Sequence, residues 1–297
     1  MNTAQTTSDH FFIELKDETG TGTTEAFRVF PGVYLMYNDF HLAKCRSGFT
    51  PPANFWGVEH CRNGKTEWEL ENGDYAYLGS GALMPCDYEE SDGEFSFPSR
   101  LFEGLTIGFE MPAAQKTISE LADVNLTWLR EKIMFAGIMD VAGDRQAEAV
   151  LRLLYIARHQ NEIHRKISCI QFLLFLKELE PNQLEPLYIR RQMADKIKEI
   201  ETFLRENLDR RWTLVELSEK FNLPVSVLRR NFTGIFGVSV ADHMRRIRVE
   251  KAKEMLLETD KSIAEIAADL GYDNASKFSA AFRSYADVSP RMYRIQN

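Results

Sequence analysis

One pattern, written twice in the C-terminal third, constrains this chain more than any other feature. Between Thr213 and Phe236, Leu217-Ser218 is followed by Phe221-Asn222-Leu223, Leu228 and Phe232. Between Ser262 and Tyr285, Ile266-Ala267 is followed by Leu270-Gly271-Tyr272, Phe278 and Phe282. Equivalent positions lie 49 residues apart before the turn and 50 after it. Ser218 and Ala267 supply small side chains where one helix must cross another closely. Asn222 and Gly271 sit at a corner whose left-handed backbone Gly and Asn adopt at least cost. Pro224 suits the first turn of the next helix, where its missing N–H is not needed, and Asp273 or Asn274 can cap the equivalent helix. Leu228 and Phe232, like Phe278 and Phe282, are four apart and share the face that packs back on the unit. Each copy reads as a helix-turn-helix with its opposite face free for a partner, in the geometry that reads a DNA major groove.

A polyanionic partner looks incompatible with a net charge of -8 until the charge is divided by region. From Arg191 onward there are 19 basic and 16 acidic residues, a balance of +3, whereas the preceding part carries 17 against 28, a balance of -11. Only the C-terminal part suits nucleic acid, and through a few placed cations rather than a basic blanket. No stretch of about eighteen apolar residues predicts a membrane span. MNTAQTTSDH lacks the basic and apolar regions of a signal peptide, so a cytoplasmic location is expected. Cys45, Cys61, Cys86 and Cys169, irregularly spaced, suit reduced thiols there.

Residues 1–10 read as a disordered, frayed tail. From Phe11 to about residue 112 the period is two, which predicts antiparallel strands. Asn63-Gly64 and Asn72-Gly73 lie between alternating segments and predict two tandem hairpins, because a type I′ turn needs positive φ at both central residues. With Phe27–Tyr37, His41–Ser47, Ala82–Met84 and Leu101–Phe109, about eight strands result, enough for a cupin-like or jelly-roll-like barrel. After Met111-Pro112 the period becomes helical, with helices expected near 114–123, 145–158 and 163–179 in a linker or dimerisation region over 113–180. Two prolines, Pro181 and Pro186, place a linker over 181–193. A long helix from about Ser239 to Glu258 then bridges the two helix-turn-helix units. The expected class is α+β: an antiparallel barrel, helices, and an all-α C-terminal domain over 194–297.

The second unit runs Ser262-Ile263-Ala264-Glu265-Ile266-Ala267, then Gly271-Tyr272, Phe278, Phe282, Ser289-Pro290 and Tyr293-Arg294. With the first unit, this ordered series resembles the DNA-binding domain of the AraC/XylS family of bacterial transcription regulators, over about Ala194 to Arg294. The resemblance implies a seven-helix domain whose two recognition helices enter successive major grooves of double-stranded promoter DNA, with RNA polymerase as a possible further partner. Carried over by position, Ser226, Arg229, Arg230 and Thr233 face bases from the first recognition helix, and the two arginines suit bidentate contacts to guanine. On the second helix the matching positions are Ala275, Ser276, Ser279 and Ala280, with Asn274 before them and Lys277 beside them. Two alanines cannot hydrogen-bond a base edge, so this helix is expected to add thymine-methyl contacts, phosphate anchoring through Lys277 and helix N-terminal N–H groups, or little specificity at all. Arg245 and Arg246 are candidate phosphate contacts, and Arg248 a structural pair. Asp287 departs from the family, where Gly is common before Val-Ser-Pro.

For the barrel the resemblance is weaker and implies an effector-binding or dimerisation domain. Trp68, Tyr75, Tyr77 and Trp56 are the candidate ligand contacts, and a filled aromatic core without ligand is the alternative. His60 with Cys45, Cys61 and Cys86 lacks the spacing of a metal-binding cupin, so no metal and no cofactor is expected. The function expected is a transcription regulator, more often an activator, bound to DNA as a homodimer and governed by a small effector. One alternative is a barrel that only dimerises or binds protein. A more remote one is a repair enzyme with a reactive cysteine, although no cysteine stands in a methyl-acceptor motif; no enzyme activity is expected.

Overall fold

The structure, a computed structural model, describes residues 3–7, 9–46, 52–88, 94–180 and 187–296. Two compact units result, Met1–Tyr188 and Ile189–Asn297.

The first unit is an antiparallel sheet covered by helices. Its strands are β1 (Thr3–Thr7), β2 (His10–Asp17), β3 (Gly20–Phe30), β4 (Val33–His41), β5 (Lys44–Arg46), β6 (Phe55–Glu69), β7 (Tyr75–Gly79), β8 (Ala82–Asp87), β9 (Glu94–Ser96) and β10 (Phe102–Glu110). The segment expected to fray contains β1, which pairs antiparallel with β2. The main ladder runs β1-β2-β3-β4-β10-β6-β7. Among the described residues no pairing returns its far end to β1, so the expected barrel does not close.

The long strand β6 corrects the hairpin expected at Asn63-Gly64. Phe55 to Cys61 pair with β10 on one side, and Trp56 to His60 pair with β8 on the other, whereas Lys65 to Glu69 pair with β7. Between these stretches the register slips, and Gly64 adopts φ 91° with its α-carbon so close to Leu101 that a β-carbon would lie 1.9 Å from the Leu101 carbonyl oxygen. The ladder with β10 slips at Arg62 while Asn63 and Gly64 still pair with Glu103 and Phe102, so the segment is a bulge in one continuous strand, not a reversal. Asn72-Gly73 does reverse the chain: the Asp74 N–H donates to the Asn72 side chain and the Gly73 N–H to the Leu70 carbonyl, joining β6 to β7. Phe27–Tyr37, expected as one strand, is broken at Pro31-Gly32 into β3 and β4.

Both faces of this sheet are buried. Val33, Leu35 and Tyr37 of β4, Trp56 and Val58 of β6, and Leu105, Ile107 and Phe109 of β10 form one core with the following helices. Those helices are α1 (Ala113–Ala122), α2 (Leu126–Ala136), α3 (Arg145–Ala157) and α4 (Glu162–Glu178). Asn125, Asp144 and Asn161 cap α2, α3 and α4 through side-chain oxygens that accept backbone N–H groups. Helix α2 was not foreseen, yet Leu126, Leu129, Ile133 and Ala136 are buried at helical spacing. A two-residue strand, β11 (Met139–Asp140), pairs with β8. The opposite sheet face carries Ile13, Leu15, Phe40, Cys61, Phe97 and Phe102.

The linker expected over 181–193 lies partly outside the described residues, and from Arg191 onward it is helix. The second unit has seven helices among its described residues: α5 (Arg191–Glu206), α6 (Leu214–Phe221), α7 (Val225–Phe236), α8 (Val240–Glu258), α9 (Ile263–Asp269), α10 (Ala275–Ala286) and α11 (Pro290–Gln296). Helix α8 packs against α5 and α7 in the first helix-turn-helix and against α9, α10 and α11 in the second.

Candidate nucleic-acid interface

The two recognition helices, α7 and α10, are built alike. Thr213 caps α6 and Ser262 caps α9, each in a capping box closed by Glu216 or Glu265. The first corner is Asn222 at φ 49°, the second Gly271 at φ 69°. A β-carbon on Gly271 would lie 2.6 Å from the Asp209 carbonyl oxygen, so close approach as well as backbone hand demands glycine there. Ser218 does more than stay small: its hydroxyl donates to the Leu223 carbonyl at 2.5 Å across the corner. Leu217, Leu228 and Phe232, and in the second unit Ile266, Phe278 and Phe282, are fully buried.

With those side chains inward, Ser226, Arg229, Arg230 and Thr233 are all exposed on α7. Neither Arg229 nor Arg230 has a side-chain partner among the described residues, so both guanidiniums are available to base edges or phosphates. On α10, Asn274 is the N-cap and accepts the Lys277 N–H at 2.9 Å. Ser276 and Ala280 are exposed, and Ser279 is half-buried beside them. Lys277 Nζ donates to Asp273 at 2.6 Å, with both side chains more than half exposed. An exposed pair of this kind contributes about 0–1 kcal/mol, so a phosphate competes easily for the ammonium.

Sequence reasoning missed Arg283. It is exposed on α10, and it lines a shallow open concavity with Ala275, Ser276, Ser279, Ala280 and Ser284. Its position lies 50 residues after Thr233, so the helical repeat that selected Thr233 also points to it.

The α8 cations separate sharply. Arg245 is exposed and pairs with Asp242 at 2.8 Å. Arg246, expected beside it as a phosphate contact, points inward instead, with 15% of its side chain exposed and Glu250 at 3.5 Å. One residue along a helix turns the side chain by about 100°, which carries Arg246 from the solvent face to the α5 side. There, buried His243 shares a 2.9 Å hydrogen bond with Glu201, which also pairs with Arg205. Burial pushes the Glu201 carboxyl up, but the bonds from His243 and Arg205 outweigh it and hold the group below its ordinary range. Arg248 is structural, though not through Asp242 or Glu250: it donates to the carbonyls of Leu208 at 3.0 Å and Arg210 at 2.6 Å. Arg294 does the same for the second unit, holding the carbonyls of Leu256 at 3.0 Å and Lys261 at 2.7 Å.

The ligand contacts expected in the first unit do not converge. Trp56 packs on Phe109 in the helix-covered core, 1% exposed. Tyr77 is buried, while Trp68 and Tyr75 are half-buried on β6 and β7. None of the four lines the interior cavity, which opens on the other sheet face around Glu59, Asn38, Thr106 and Phe102. Period two alone cannot say which face encloses space when both faces are buried. His60 points the opposite way from Glu59, bonding the Tyr155 hydroxyl of α3 at 2.9 Å. Burial pushes the thiols of Cys61 and Cys169 up to about 12 and raises that of Cys86, the reverse of what a reactive thiolate needs. Among the described residues no group of three or more His, Cys, Asp or Glu side chains could hold a metal ion.

This architecture defines a double helix-turn-helix reader, with two exposed helices joined through one long strut. A family profile described as a helix-turn-helix domain matches residues 217–296. The chain is 34% identical over 109 residues to the uncharacterized HTH-type transcriptional regulator YdiP of Escherichia coli, covering 37% of this chain and 35% of that protein. It is 31% identical over 101 residues to the HTH-type transcriptional activator RhaS of Mannheimia succiniciproducens, covering 34% and 38%. The match thus spans little more than a third of the length of these relatives. Among solved structures, the C-terminal domain of AraT, a response regulator from Geobacillus stearothermophilus, shows 31% identity over 36% of this chain and 88% of its own, with a TM-score of 0.34. Residues 217–296 thus match an AraC-type helix-turn-helix domain.

Proposed function

We propose that this chain is a sequence-specific, DNA-binding transcription regulator in the cytoplasm, with a sensor region over 11–112, a helical region over 113–180 and the reader over 194–297. The observation that carries the reading is the exposed, unpartnered pair Arg229 and Arg230 on a recognition helix whose other face is fully buried. Arg229 and Arg230 read bases, Lys277 and Arg245 anchor phosphates, and Arg283 gives the second helix a cation. Selection of binding sites from random duplex DNA tests this. A defined motif is expected, and loss of preference at one base pair for each of Arg229→Ala and Arg230→Ala; indiscriminate binding by the intact chain would refute sequence reading.

The proposal extends to regulation. A small effector in the first unit shifts the population of DNA-competent or polymerase-competent states, and activation is the outcome suggested by the activator among the relatives. A homodimer is supported by α4, where Ile163, Ile167 and Leu174 are exposed and the half-buried Ile170 completes their line. Alternating steps of four and three residues are the seam of a two-helix coiled coil. Analytical ultracentrifugation of Ile163→Glu/Ile167→Glu tests it: a dimer that survives both charges does not use this seam. No helix among the described residues is long and apolar enough to cross a membrane.

A further inference from the structure

We propose that the cavity around Glu59 binds a small organic cation, an ammonium or amidinium carried on an apolar body; this rests on reading the first unit as effector-binding. The cavity lies between β2, β3, β4, β5, β6, β9 and β10; it encloses about 40 Å³, room for a cationic head group, and opens through a mouth that brings the unfilled space to about 520 Å³. Among the described residues no Lys, Arg or His lines it, and the one carboxylate that does is Glu59. Glu59 is 7% exposed, on the face of β6 opposite His60.

The groups around this carboxylate are dipoles. Thr106 hydrogen-bonds it, Asn38 Nδ2 donates to the Thr106 hydroxyl at 3.1 Å, and the Thr24 hydroxyl donates to Asn38 Oδ1 at 2.9 Å. These polar groups orient one another and end on Glu59 without supplying a positive charge. A buried carboxylate without a counter-ion is costly, and burial accordingly pushes the Glu59 carboxyl up to about 7 against the smaller pull of the Thr106 bond. A cation entering the cavity supplies the missing charge.

The remaining wall suits the rest of such a ligand. Phe40, Phe97 and Phe102 stack on one another with centroids 5.3 to 6.1 Å apart. Their faces offer apolar contact and attract a cation electrostatically. An anion meets the wrong sign here. A neutral polyol could use Asn38, Thr24 and Thr106 but gains nothing from the charge of Glu59, which separates the two classes experimentally.

The test is calorimetric titration of the full chain with phenethylammonium and benzamidinium chlorides, beside phenylacetate and benzyl alcohol. One of the two cations is expected to bind one-to-one, at least tenfold more tightly than phenylacetate or benzyl alcohol. Glu59→Gln, nearly the same shape, should keep or raise the melting temperature and weaken the cation at least tenfold, while Glu59→Asp retains part of the affinity. The proposal is overturned if neither cation binds, if Glu59→Gln binds as tightly as the parent, or if phenylacetate or benzyl alcohol binds as well. DNA binding by the same preparations is measured separately. Cation binding without DNA binding sinks only the regulator reading, and DNA binding without cation binding sinks only this proposal.

Discussion

The two helix-turn-helix units share a scaffold but hold it together differently. Both have a capping box, a left-handed corner and two buried aromatic or aliphatic side chains four apart. The first also buries Glu201, Asn231, His243 and Arg248, whereas no polar or charged side chain after Arg248 is buried among the described residues. The second unit is held by Ile266, Ala267, Leu270, Phe278 and Phe282. Hydrogen bonds are directional and apolar contacts are not, so the first unit is pinned in one arrangement by its polar network. That unit also carries the two unpartnered arginines. Scaffold and reading face therefore diverge together.

The comparison breaks first at the cores. Phe232→Ala and Phe278→Ala should each cost about 3–5 kcal/mol, read by denaturant unfolding of the full chain; a much smaller loss in one unit would show that the scaffolds are not equivalent. Next comes the polar network. Glu201→Ala takes the partner from buried His243 and leaves Arg205 with Glu250 alone, and should cost about 3 kcal/mol, an effect with no second-unit analogue to test. At the reading faces, Arg229→Ala and Arg230→Ala should each lose about 1–3 kcal/mol of discrimination at one base pair. Arg283→Ala is expected to weaken all sequences alike and to flatten the salt dependence; a base-specific loss there would make the second unit a reader in its own right. The smallest effect concerns the helix ends. Gly237 closes α7 at φ 77° and Asp287 closes α10 at φ 56°, so Asp287→Gly should stabilise the chain by about 0.5–1 kcal/mol, visible as a small rise in melting temperature.

Legibility followed the range of the interactions. The corner residues, the helix caps and the long helix from Ser239 were readable because each depends on neighbours within four or five positions. Helix α2 escaped because its buried residues, Leu126, Leu129, Ile133 and Ala136, are spread among Trp128, Met134 and Phe135, which blur the stripe. Asn63-Gly64 misled because a glycine at positive φ serves a bulge as well as a turn, and only the close approach of Leu101 distinguishes them. Arg283 stands one turn beyond Ser279 and Ala280 on α10, and only the repeat carried as far as Thr233 marks it.

By itself, then, the sequence determined that two like units recur, which side chains enter their cores, and which cations on α7 are left outside. Those facts are local, set by periodicity, capping and backbone hand. The tertiary structure decided that Arg245 stays in solvent while Arg246 turns in toward Glu250 and His243, and that Arg248 and Arg294 grip carbonyls 40 and 38 residues away. It also decided that Trp56 packs under helices while Glu59, three residues along the same strand, faces a cavity. Alternation marks two faces of a strand, but only the elements packed against them determine which face encloses space.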